Sequence, residues 1–113
     1  MSTFDESLIH FDQVKSDERQ EILLGTKKLT VEYFNELVVN ENNDLNDLYQ
    51  MLVKYIHYQL DKNFEGLLNL IYRIDLKEKE FVSALESEKP AHNLSLLILK
   101  RIVQKVILRK RYA

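Results

Sequence analysis

The chain of 113 residues has no cysteine, one proline (Pro90) and only two glycines (Gly25 and Gly66). Without cysteine there is no disulfide framework, no thiolate nucleophile and no Cys-ligated zinc. So few glycines and prolines leave little material for tight β-turns and bulges, and two isolated glycines cannot form a phosphate-cradling loop. The longest unbroken apolar run is Leu96 to Leu99, far short of the ~20 residues that span a bilayer. The start, Met1-Ser2-Thr3-Phe4-Asp5-Glu6, is acidic and lacks the basic segment followed by an apolar stretch that marks a secretory signal. A cytoplasmic protein is the expectation.

What is abundant is leucine, with 19 copies in a composition 45% apolar and 30% charged. That is a globular balance, and a chain of this length buries roughly 65% of the surface its unfolded form exposes. An all-α fold follows, a single-domain compact helical bundle of about five helices with a long C-terminal helix. Residues 1–15 carry Phe4, Leu8, Phe11 and Val14 at three- or four-residue spacing without a clear cap, and are expected to form a loosely attached arm. Residues 16–113 are expected to form the bundle.

Ser16 followed by Asp17, Glu18 and Glu21 suits a helix start, and Gly25 offers a stop, which predicts a short helix over 17–24. In 26–39 the spacing of Val31, Phe34, Leu37 and Val38 favours helix, although Val38-Val39 and Leu29-Thr30-Val31 also suit a strand. Asp44 is placed to cap a helix over 44–61, with Leu45, Leu48, Tyr49, Leu52, Ile56 and Leu60 on its apolar stripe. Asn63 starts the next helix, in which Gly66 costs about 1 kcal/mol relative to alanine unless packing requires it. Asp75-Leu76-Lys77-Glu78 fits a capping box, 86–92 is a connector, and Asn93 is expected to cap the last helix.

That last helix has two different long faces. Ile98, Leu99, Ile102, Val103, Val106, Leu96 and Ile107 fall on one half of the helical wheel and form a core face. The other half holds Lys100, Arg101, Lys105 and Arg111 with Leu94, Leu97 and Leu108 set among them. These seven residues are the candidate partner-binding surface. Charge is polarised to match: residues 1–50 hold 11 acids against 4 Lys/Arg, whereas residues 100–113 hold 6 Lys/Arg and no acid. An acidic N-terminal segment lying against the basic helix accounts for this within one molecule or between two.

Other constellations are thinner. His57 and Asp61 share a helix face with Glu65 nearby, but two ligands are too few for a metal site, and a simple i,i+4 contact explains the pair. Tyr55 and Tyr58, with Met51, could line a small-molecule groove, while buried tyrosine is the ordinary alternative. Around Tyr72-Arg73-Ile74-Asp75 the chain resembles a helix-turn-helix, yet the second helix carries Glu78, Glu80, Glu86 and Glu88, which would repel phosphate. No catalytic, metal or cofactor signature is present, so no enzyme activity, cofactor or metal is expected. The expected function is a small helical protein-interaction module, an adaptor or a self-associating homodimer. Nucleic-acid association through the basic helix is the weaker alternative at a pI near 5.9, with small-molecule binding behind it.

Overall fold

The computed structural model describes residues 4–112. Two short 3-10 turns, Glu6–Ile9 and Phe11–Gln13, precede five α-helices: α1 (Arg19–Tyr33), α2 (Leu45–Lys62), α3 (Phe64–Ile74), α4 (Glu78–Leu85) and α5 (Pro90–Tyr112). There is no strand among the described residues, and no helix is long and apolar enough to cross a membrane. The all-α bundle expected from composition is the observed architecture.

The long last helix is the axis of the bundle, touched by α1, α2, α4 and the first 3-10 turn. Leu94, Ile98, Leu99 and Ile102 are fully buried on α5 and meet Leu48, Leu52 and Ile56 in the same cluster. Each such side chain contributes roughly 1.5–3 kcal/mol of burial. The N-terminal segment read as an arm sends Ile9 and Phe11 into this core, 1% and 2% exposed. Arg19 pins it further, pairing with Glu6 and lying 4.6 Å over the Phe11 ring.

Local signals set α2 and α3. Asp44 accepts from the Asp47 amide at 2.9 Å and Asp47 accepts from the Asp44 amide at 3.0 Å, closing a reciprocal capping box. The Asp44 amide is also the main reason that the Asp47 carboxyl titrates below its ordinary range. At the next start the Asn63 side chain accepts from the Gly66 amide at 3.0 Å. A Cβ on Gly66 would lie 2.4 Å from Asn63 Nδ2, so the glycine makes room for the cap.

Four boundaries differ from the expectation, each through a tertiary contact or a backbone preference. α1 does not stop at Gly25 but runs on to Tyr33, because Gly25 sits where α1 crosses α5: a Cβ there would meet Val106 Cγ1 at 2.6 Å. Nor does it continue through Leu37 and Val38; Phe34, 1% exposed, ends it by plugging the core, and Val38 is left 83% exposed. Asp75 adopts a left-handed conformation (φ 66°) and closes α3, while α4 starts at Lys77 without a side-chain cap. The Asp75–Glu78 capping box is therefore not formed. Finally, α5 starts at Pro90 rather than at Asn93, since proline's fixed φ and missing N–H suit the first helical position. Asn93 lies one turn inside and donates to Ser87 Oγ at 2.8 Å.

Candidate functional site

The outward side of α5 is the floor of a groove. Viewed down the helix, Asn93, Leu97, Lys100, Gln104 and Arg111 fall within one narrow arc, which runs about 27 Å at 1.5 Å per residue. The two 3-10 turns form one wall, and the start of α4 with the α3–α4 junction forms the other. Three adjoining cavities of about 470, 370 and 260 Å³ follow this floor, and Lys100 lines all three. Leu97 and Glu80 are shared by the first two, and Gln104 by the last two. Leu8, 43% exposed, adds an apolar rim beside Leu96 and Leu97.

Charge in the groove opposes that of the whole molecule. Six cations line it, from Lys15 through Lys77, Lys79, Lys100 and Arg101 to Arg111, against the three acids Glu18, Asp75 and Glu80, in a chain whose net charge is −2. Arg101 is the best anchored of them: its terminal nitrogens donate to Gln104 at 2.8 Å and to Asp75 at 3.2 Å. Its Nε is buried with no hydrogen-bond partner, an unsatisfied donor at the groove. Lys100 and Arg111 make no ion pair among the described residues.

Of the seven residues expected to bind a partner, the fold gathers four in this groove: Leu97, Lys100, Arg101 and Arg111. Leu94 is corrected. It is fully buried, because α5 lies between α2 and α4 and needs a core stripe wider than half the wheel. Lys105 is turned toward α1, where it donates to the Tyr33 hydroxyl at 2.7 Å and lies 5.1 Å over the same ring. Leu108, 44% exposed, lies beside the groove and lines none of its three cavities. The groove walls escaped the sequence reading altogether. Only the packing of α4 against α5 brings Lys77 and Lys79 beside Lys100.

The acidic-to-basic match between the chain ends is realised in part within one molecule. Lys110 donates to Glu21 at 2.7 Å and lies 3.8 Å from Glu18. The Glu21 hydrogen bond is the main reason that the Lys110 ammonium titrates above the ordinary lysine value.

Elsewhere Tyr55, Tyr49 and His92 make side-chain contacts within the fold. Tyr55 packs edge-on against Phe34 and accepts from Gln59 at 2.9 Å, and burial raises its hydroxyl pKa, with Glu36 adding to the effect. Tyr58 is 63% exposed, and neither tyrosine lines the three cavities along α5. The Tyr49 hydroxyl and His92 Nδ1 share a 2.5 Å hydrogen bond across a cleft of about 510 Å³ between α2 and the start of α5. No sequence spacing links those two residues. Among the described residues no three His, Cys, Asp or Glu side chains come together to hold a metal ion. Comparison with known proteins finds no matching family model, no matching curated protein and no matching solved structure.

Proposed function

We propose that the protein is a helical interaction module whose α5 groove receives an acidic, leucine-bearing segment of a protein partner. The observation that carries this reading is the continuous groove with six cations and three acids on a molecule that is net negative. Leu8, Leu96 and Leu97 supply apolar contact at one end of it, and Lys100 and Arg111 supply unpaired charge along the rest. Such a surface attracts an acidic ligand at long range and fixes its register by the apolar anchor. Duplex nucleic acid fits less well, because Glu18, Asp75 and Glu80 stand among the cations where phosphates would lie.

Fluorescence anisotropy with a labelled amphipathic helix of leucine and glutamate tests the reading, with a labelled DNA duplex as competitor class. The peptide binds in a salt-sensitive manner, and Lys100→Glu with Arg111→Glu weakens it by about tenfold or more, roughly 1.4 kcal/mol. Leu97→Asp weakens it with less change in salt dependence. Tighter binding of the duplex than of the peptide sinks the protein-partner reading, and indifference of both probes to the charge reversal sinks the groove.

A further inference from the structure

A second surface carries an inference independent of the groove. Past Val103, its last buried residue, α5 continues for nine residues to Tyr112. Near that end Leu108 and Tyr112 stand one turn apart, 44% and 82% exposed, with Arg109 on the same side of the helix. Arg109 makes no ion pair among the described residues, whereas its neighbour Lys110 is held by Glu21. The helix end is thus an apolar pair with a free cation.

Between α3 and α4 lies the matching shape. A cleft of about 270 Å³ is walled by Leu68, Tyr72, Phe81 and Val82, and among the described residues the charged groups lining it are the carboxylates of Asp75 and Glu78. Tyr72 is 85% and Val82 41% exposed. At this volume the cleft falls below the ~300–1,000 Å³ of sites for drug-sized molecules, yet it admits protein side chains. Asp75 is engaged by Arg101 at 3.2 Å, which leaves Glu78 to meet an incoming cation. The molecule's own helix end cannot fill it, because α5 is an unbroken helix and Lys110 fastens that end to α1.

We propose that the α3–α4 cleft receives the Leu108–Tyr112 end of α5 from a second copy of this chain, with the incoming Arg109 beside Glu78. Each copy carries one helix end and one cleft, and an end-into-cleft contact that the partner does not return joins copies head to tail. The apolar anchor is small, and association is expected to be weak, near 100 µM.

Sedimentation velocity on the full chain tests it. The wild-type average mass rises above the monomer as concentration climbs toward ~0.5 mM and falls back in high salt. Leu108→Asp with Tyr112→Ala spoils the helix end, and Val82→Glu spoils the cleft, so each variant alone is monomeric. Their equimolar mixture forms a 1:1 dimer and nothing longer, since one intact end meets one intact cleft. An interface in which each patch meets its own copy cannot give that rescue. If circular dichroism shows that Val82→Glu loses helix, Tyr72→Ala at a more exposed position takes its place. The proposal is overturned by a wild type that stays monomeric, by either variant associating like the wild type, or by a mixture that remains monomeric.

Discussion

Both halves of α5 carry large aliphatic side chains, yet they do different work. From Ala91 to Val103 the helix buries Leu94, Ser95, Ile98, Leu99 and Ile102 completely and Ala91 and Val103 nearly so. From Gln104 to Tyr112 no residue is buried, although Val106, Ile107 and Leu108 are as apolar as those before them. Hydrophobicity alone does not distinguish the halves. What stands opposite also differs: α2 and α4 enclose the first half, whereas the second meets α1 and the N-terminal turns, which leave it partly open. A helix that outruns its core keeps apolar side chains for other contacts, and Arg109 and Arg111, which make no ion pair among the described residues, sit in the same stretch.

The sharpest test of that contrast compares deletions in the two halves. Leu94→Ala and Ile102→Ala each cost about 2–5 kcal/mol in urea unfolding, through lost burial and a cavity, whereas Leu108→Ala stays within about 0.5 kcal/mol. Equal losses at Leu94 and Leu108 would erase the distinction between the halves.

Next in size is the crossing of α1 over the start of the second half. Gly25→Ala gains about 1 kcal/mol in helix propensity but overpacks Val106 at a cost of about 1–3 kcal/mol, so a net loss of about 1 kcal/mol is expected. In a Val106→Ala background the same change stabilises by about 0.5–1 kcal/mol. A Gly25→Ala gain in both backgrounds would mean that the helices are farther apart than the 2.6 Å contact implies.

Smaller still is the hydrogen bond from Lys105 to Tyr33. Tyr33→Phe removes the acceptor while keeping most of the ring, and a loss of about 0.5–1.5 kcal/mol in thermal unfolding is expected. No loss would mean that Lys105 adds nothing to the tie that Lys110 makes to Glu21 on α1.

The smallest effect concerns Lys110. Its pKa is raised in the folded protein, chiefly by the Glu21 hydrogen bond, so its contribution is fully present below the unfolded lysine value and is lost as pH rises through the folded one. Wild type and Lys110→Gln therefore converge in stability at alkaline pH and separate slightly near neutrality, where salt narrows the gap further. A gap that widened with pH would reverse the assignment.

Sequence by itself determined what is local. The helical class follows from nineteen leucines with almost no glycine or proline, and the start of α2 follows from the Asp44 and Asp47 side chains reaching back to each other's amides. The start of α3 follows likewise from Asn63. Those interactions span three residues, so the spacing contains them. Tertiary structure decided the rest. Gly25 reads as a helix stop until Val106 is opposite it, Leu94 reads as surface until α2 and α4 close around α5, and Tyr49 meets His92 across 43 positions. The groove belongs to the same class: Lys15, Lys77 and Lys79 are ordinary surface lysines in the sequence, and they share a field with Lys100 only because α4 and the N-terminal turns pack along one helix. A wheel gives the direction in which each side chain points, but burial and charge density depend on what the chain places in front of it.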